Sequence, residues 1–246
     1  MVATEFADRP AKGFALAQIM SESPEVADAF DALFGALRLA PPLASGNVIL
    51  VTSAEPGEGK TTVASCLATT ASLAGQTVLL IDGDLRRSSL TATVGSGDTA
   101  GLIEILLGEA EAAEAIHPIT ALTDSLQAGA VSFMASGRKS PRFLGAVDWS
   151  KARTAFRSIA QLFGMVFLDS PPILAANDAL LFARIVDAVV LVVGTGNASL
   201  DRIRRAKEHL DAIGTPILGA VLNRFEPKVH GPSNQPYRGY YRGLHT

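Results

Sequence analysis

Residues 47–62 run Asn47-Val48-Ile49-Leu50-Val51-Thr52-Ser53-Ala54-Glu55-Pro56-Gly57-Glu58-Gly59-Lys60-Thr61-Thr62. Val48 to Val51 is apolar and largely β-branched, which predicts a buried strand. Ser53 to Gly59 is a turn of mostly small residues, and Val63-Ala64-Ser65-Cys66-Leu67-Ala68 carries a helical pattern. A strand, a tight loop, Gly-Lys-Thr and a helix are the parts of a phosphate-binding loop. Main-chain N–H groups must converge on a polyanion there, so bulky side chains are kept out. The helix N-terminus adds donors and a favourable dipole. Lys60 can reach β- and γ-phosphates, and the Thr61 hydroxyl suits Mg²⁺. The strict pattern has Gly at position 54; this chain has Ala54.

Further buried strands follow the same logic. Thr77 to Asp82 ends in the charged run Asp82-Gly83-Asp84-Leu85-Arg86-Arg87, and Met165 to Asp169 ends in Ser170-Pro171-Pro172. Ala188 to Val193 and Pro216 to Asn223 complete the set. Between them lie helical patterns at 101–107, 150–163, 178–184 and 200–213. Residues 88–101 and 131–142 are expected to be loops, and Ser125–Gly129 a short strand. Upstream, apolar residues at 26, 30, 33, 34 and 37 predict a helix after Ser23-Pro24, closed by Pro41-Pro42. Strands alternating with helices predict an α/β fold: a P-loop NTPase, three-layer α/β/α, with a mostly parallel central sheet. Residues 1–23 read as an N-terminal extension, 24–224 as the nucleotide-binding domain, and 225–246 as a flexible tail. That tail holds Tyr237, Tyr240 and Tyr241, all of the tyrosines.

Composition narrows the class. Of the 246 residues 48 % are hydrophobic, which supports a large core. No apolar run approaches the ~18 residues of a membrane span, and no secretory leader is visible. The single cysteine, Cys66, falls in the first helix after the loop and is expected to be a core residue. A cytoplasmic protein is the expectation. The net charge of −3 argues against non-specific nucleic-acid binding. His117, His209, His230 and His245 lack metal-ligand spacing. Trp149 is expected to be partly buried, and Arg138, Lys139 and Arg142 to lie on a solvated loop.

In a parallel sheet, ligands bind at the carboxyl ends of the strands. Asp82, Asp84 and Asp169 fall at such ends. A nucleoside triphosphate brings Mg²⁺, a cation that takes oxygen ligands, often through water. Asp169 fits that metal role, and a second carboxylate near an attacking group would suit phosphoryl transfer.

These residues carry a resemblance. Leu79 to Arg86 resembles the Asp-x-Asp-x-Arg motif of the bacterial tyrosine kinases of capsule and exopolysaccharide synthesis. Ala54 to Thr61 is similar to their phosphate loop, and Val166 to Pro172 to their strand-end Asp-x-Pro-Pro. Asp178-Ala179-Leu180 and Val221-Leu222-Asn223 follow in the family's order, so the match runs from about residue 24 to the C-terminus. The resemblance implies a protein-tyrosine kinase that uses ATP, yields ADP and needs Mg²⁺. It implies nucleotide contacts for Glu55, Pro56, Gly57, Glu58, Gly59, Lys60, Thr61, Thr62, Arg86 and Asn223. It implies Mg²⁺ at Thr61, Asp84 and Asp169, with Lys60, Asp82, Asp84 and Asp169 as the catalytic set and Asp82 facing the incoming tyrosine hydroxyl. Tyr237, Tyr240 and Tyr241 sit where the family keeps its phosphoacceptors. The implied partner is the cytoplasmic end of a membrane polysaccharide co-polymerase, which would recruit the protein to the inner membrane.

One departure stands out. The family's first helix carries Glu-x-x-Arg-x-x-Arg, which joins subunits into a ring, and the matching positions here are Asp28, Asp31 and Phe34. An arginine contact replaced by Asp turns attraction into repulsion against an acidic partner. Two other readings stay open. A non-kinase ATPase switch would have an extra lysine near the start of the loop, where this chain has Glu55. A catalytically weak scaffold docked on the membrane partner is the other.

Overall fold

The computed structural model describes residues 23–40, 46–97, 99–119, 131–138, 143–195 and 199–224. Its strands are β1 (Val48–Ser53), β2 (Val78–Asp82), β3 (Ile116–Ile119), β4 (Val131–Met134), β5 (Met165–Asp169), β6 (Ala188–Gly194) and β7 (Ile217–Asn223). The helices, in chain order, are α1 (Pro24–Arg38), α2 (Lys60–Leu73), α3 (Ser89–Val94), α4 (Leu102–Leu107), α5 (Ala112–Ala115), α6 (Trp149–Ala160), α7 (Asp178–Ala183) and α8 (Leu200–Ile213). The strands form one sheet in the order β3-β4-β2-β5-β1-β6-β7. All neighbours are parallel except β3 and β4, which are antiparallel.

Strand parity sorts the core into two layers. Val48, Leu50, Leu79, Ile81, Val166 and Leu168 pack against α4, α6, α7 and α8 through Leu102, Phe156, Phe182 and Leu210. Ile49, Val51, Leu80, Phe133, Phe167 and Val190 pack on the other face against α2 through Val63, Leu67 and Ala71. Helix α1 lies outside α2 and adds Phe34 and Leu37 to that layer. Sandwiched in this way, α2 is buried without interruption from Val63 to Ser72, so its sequence shows no polar face. Cys66 is buried within it as expected, and burial pushes its thiol up to about 12.

Two expectations are corrected. Residues within 88–101 form helix α3, anchored by buried Leu90 and Thr91; one Leu90–Val94 pair in six residues is too short a run to establish a period. Residues 131–134, expected to be loop, are strand β4, paired in parallel with β2 and largely buried. At four residues its alternation is too short to stand out from the polar stretch that follows. Helix α5 and strand β3 were not anticipated either. Ser125–Gly129, Pro41-Pro42, Lys139, Arg142 and the segments 1–22 and 225–246 lie outside the described residues. Trp149 is half-buried and meets Phe182 edge-on, with ring centroids 6.3 Å apart. No helix among the described residues is long and apolar enough to cross a membrane.

Candidate active site

The register of the central strands assembles the site. Asp82 on β2 and Val51 on β1 both stand opposite Asp169 on β5. Paired residues on neighbouring strands share a face. Both carboxylates therefore emerge on the α2 side of the sheet, where α2 begins with Lys60 and Thr61.

The phosphate loop between β1 and α2 is braced from inside. Glu58 is buried; its Oε2 accepts the Glu55 N–H at 2.7 Å and its Oε1 accepts the Gly194 N–H at 3.2 Å. The Ser53 hydroxyl donates to the Glu55 carbonyl at 2.7 Å. Asn223, at the end of β7, donates from Nδ2 to the Glu58 carbonyl at 2.9 Å. Gly59 caps α2 with φ +92°, and a Cβ there would collide with Asn223 Nδ2. Ala54, the departure from the strict loop pattern, is buried in the core, so its methyl group is accommodated. Pro56, Gly57 and Thr62 are exposed. Glu55, where the ATPase switches would have lysine, is ion-paired with Arg202 of α8 in the same chain.

Lys60 is 8 % exposed. Burial pushes its ammonium below the ordinary value, while the charges of Asp169, Asp84 and Glu58 act the other way. The Thr61 hydroxyl donates to Asp169 Oδ2 at 2.7 Å, and Asp169 Oδ1 is buried with no partner. Burial pushes the Asp169 carboxyl up to about 7, against the Thr61 hydrogen bond. An acidic oxygen left bare beside a threonine hydroxyl and a lysine at a helix start is a site short of cationic charge. Mg²⁺ fits it: that ion takes one or two protein oxygens and completes its shell with phosphate and water. Among the described residues no group of three or more His, Cys, Asp and Glu side chains forms a metal cage by itself.

Asp82 and Asp84 diverge. Asp84 faces a cavity of about 380 Å³ that it shares with Lys60, Thr61, Arg86, Arg87 and Arg224. Its Oδ1 accepts the N–H groups of Arg86 at 3.3 Å and Arg87 at 3.1 Å. Asp82 is fully buried, and its carboxylate turns toward α3. Burial pushes its pKa up, against hydrogen bonds from Thr91 and the Asp84 N–H. Arg86 reaches across the cavity mouth to Asp178 on α7, with Nε 2.9 Å from one carboxylate oxygen and Nη2 3.2 Å from the other. A smaller cavity of about 230 Å³ lies beside the loop, lined by Glu55, Glu58, Gly194, Thr195 and Arg224. The roles of Arg87, Arg224 and Thr91 carry no motif of their own, and Asp178, though in a stretch that follows the family's order, carried no sign that it pairs with Arg86. Tyr237, Tyr240 and Tyr241 lie outside the described residues, as do His230 and His245. On α1, Asp28 and Asp31 are exposed, but Phe34 is buried. Arg138 is exposed as expected, its N–H donating to Glu104 Oε1 at 3.2 Å.

Fold and site together define a P-loop NTPase domain. The family of CobQ/CobB/MinD/ParA nucleotide binding domains matches residues 49–238. Tyrosine-protein kinase YwqD of Bacillus subtilis is 34 % identical over 194 residues, covering 78 % of this chain and 76 % of that protein. The kinase domain of Escherichia coli tyrosine kinase ETK superposes with a TM-score of 0.66 at 27 % identity, over 74 % of this chain and 71 % of that one. The cell division ATPase MinD of Pyrococcus furiosus superposes with a TM-score of 0.60 at 28 % identity, over 73 % of each chain. The chain belongs to the bacterial tyrosine kinase family, on the nucleotide-binding fold that this family shares with MinD.

Proposed function

We propose that the chain is an ATP- and Mg²⁺-dependent protein-tyrosine autokinase that phosphorylates Tyr237, Tyr240 and Tyr241 and thereby regulates exopolysaccharide or capsule polymerisation and export. The observation that carries this reading is the convergence of Lys60, the Thr61–Asp169 hydrogen bond and Asp84 on one cavity, with Asp82 directly behind it. Lys60 and the loop amides bind the triphosphate. Thr61 and Asp169 would hold Mg²⁺, with Asp84 supporting them. When bound, the metal neutralises charge on the transferring phosphoryl group. An acceptor tyrosine is a weak nucleophile, with a pKa near ~10, so placing its hydroxyl in line matters more than deprotonating it early. Asp84, on the cavity, supplies the carboxylate for that placement, with buried Asp82 behind it holding the Asp84 N–H. The activating partner would be the cytoplasmic end of a membrane polysaccharide co-polymerase, which would bring the protein to the inner membrane.

The test is phosphotyrosine detection on wild type, Lys60→Ala and a variant with all three tyrosines changed to Phe. Signal only in the wild type is expected. Signal that survives Lys60→Ala would remove the autokinase reading. The likeness to MinD favours a second reading, a nucleotide-operated switch that turns over ATP without a protein acceptor. The Glu55–Arg202 pair counts against it, because glutamate sits where that switch would present lysine. A catalytically weak scaffold is favoured by α1, since Asp31 and Phe34 stand where the ring motif has its arginines.

A further inference from the structure

Behind the cavity wall lies a buried polar chain that the nucleotide does not need. Asp82 Oδ2 accepts both the N–H of Thr91, at 2.7 Å, and its hydroxyl, at 2.8 Å. The same hydroxyl accepts the N–H of Ser136, just beyond β4, at 2.9 Å. An amide can only donate, so the Thr91 lone pairs face Ser136 and the hydroxyl proton goes to the carboxylate. The competing acceptor, Ser136 Oγ, is farther, at 3.3 Å, and is itself bonded to Ser88 Oγ at 2.8 Å. The other Asp82 oxygen, Oδ1, accepts the Asp84 N–H at 3.1 Å, and Asp84 Oδ1 accepts the next two useful amides, those of Arg86 and Arg87. One directed chain thus runs from the end of β4, through Thr91 and Asp82, to the carboxylate that faces the cavity. Ser88 sits on this chain with φ +47°, a left-handed conformation that a serine rarely adopts. Such strain persists where the surroundings over-determine it, and it clusters at functional sites. Ser88 is held by its N–H to the Asp84 carbonyl at 2.7 Å and by Ser136.

We propose that Thr91 is a positioning residue for phosphoryl transfer. Its hydroxyl, aimed by the Ser136 amide, fixes the Asp82 carboxylate and through it the turn that presents Asp84 to the acceptor. Thr91 touches neither the cavity nor the phosphate loop, so its effect falls on turnover and not on nucleotide affinity. The assignment rests on the autokinase reading above for its kinetic consequence, and on geometry alone for its effect on the turn.

The experiment compares wild type with Thr91→Val, which keeps the shape and removes the hydroxyl, and Thr91→Ser, which keeps the hydroxyl. Thr91→Val is expected to lower autophosphorylation kcat about 10- to 100-fold, the scale of a small misplacement of reacting groups. Its Kd for Mg·ADP should stay within about twofold, and Thr91→Ser should restore most of the rate. Hydrogen exchange of the 83–91 amides should be faster in Thr91→Val and as slow as wild type in Thr91→Ser. A wild-type rate in Thr91→Val overturns the assignment. So does a Thr91→Ser variant as slow as Thr91→Val, or a loss of Mg·ADP affinity in step with the rate. If wild type forms no phosphotyrosine, it is the autokinase reading that fails. Exchange then decides the positioning claim: unchanged protection of 83–91 in Thr91→Val refutes it.

Discussion

Arg86 and Asp178 form a bidentate pair in which the acid is buried and the cation is not. The Arg86 side chain is 63 % exposed and that of Asp178 only 4 %. The hydrogen bonds it donates to Asp178 raise the guanidinium pKa further, so Arg86 stays charged at any working pH. The pair joins the 83–88 turn to the start of α7, just after Ala175 and Ala176, which line the cavity together with Arg86 and Arg87. Arg86 was expected from its motif to contact nucleotide; here its fork is already occupied. Arg86→Lys keeps the charge but loses the fork. Because the cation is largely solvated, the stability loss is expected to be only about 1 kcal/mol, read by urea denaturation. Mg·ADP affinity should fall several-fold as the 171–176 side of the cavity comes away from Arg86. A variant with wild-type affinity would show that the clasp does not hold the cavity.

The Thr61–Asp169 pair makes a separate prediction. Removing the carboxylate charge with Asp169→Asn should abolish the dependence of ADP affinity on Mg²⁺, while metal-free ADP still binds to the loop. Lys60→Ala should weaken both forms, by about 100-fold, as expected for the loss of a charge-assisted contact to phosphate of about 2–3 kcal/mol. Calorimetry with Mg²⁺ and with a chelator separates the two. Equal gains from Mg²⁺ in wild type and Asp169→Asn would remove Asp169 from the metal site.

The same carboxylate sets a pH dependence. In the folded, metal-free protein Asp169 keeps its proton up to about pH 7, against an ordinary value of 3.8. Between those values the folded state holds a proton that the unfolded chain has released. The stability this confers is complete below 3.8 and is lost as pH rises through about 7. The slope is about 1.4 kcal/mol per pH unit at most. Asp82, also raised, adds in the same direction. Wild type minus Asp169→Asn isolates the effect, and that difference should fall from pH 4 to 7 in chelator. Mg·ADP reverses the trend, because the metal competes with the proton, so its affinity should rise over the same range. A flat difference curve would mean that Asp169 is ionised without metal.

What the sequence made legible follows from range. Asp82 and Asp169 could be placed because each ends an unbroken apolar run, and a parallel sheet turns all such ends to one side. Lys60 and Thr61 could be placed because loop and helix are contiguous with β1. Asp178 was invisible as the partner of Arg86, since 92 residues separate them and an ion pair leaves no periodic trace. Thr91 and Ser136, 45 residues apart, meet only because β4 lies beside β2. The short elements α3 and β4 were missed for the same reason that they matter. Each is held by a few buried side chains supplied from elsewhere, and tertiary packing overrides weak local preference.

Assembly gives the last prediction. On α1, Asp28 and Asp31 face solvent, while Phe34 is 4 % exposed and packs with Leu37 on the α2 layer. The third position of the ring motif is therefore a core position in this chain. Asp31, where the motif has arginine, would repel the acidic partner that an arginine would have met, whereas Asp28 keeps the sign of the motif's glutamate. The purified protein is expected to be largely monomeric, or to assemble by a surface other than α1, by multi-angle light scattering; a stable octamer would overturn this. Restoring arginines tests the cause. Asp31→Arg is on the surface and should leave stability within about 0.5 kcal/mol, whereas Phe34→Arg buries a charge and empties an aromatic site. Truncation alone, Phe34→Ala, should cost about 3 kcal/mol. If Phe34→Arg instead proves as stable as wild type and promotes assembly, α1 must be able to turn its buried face outward, and the packing of Phe34 against α2 is not what keeps the subunits apart.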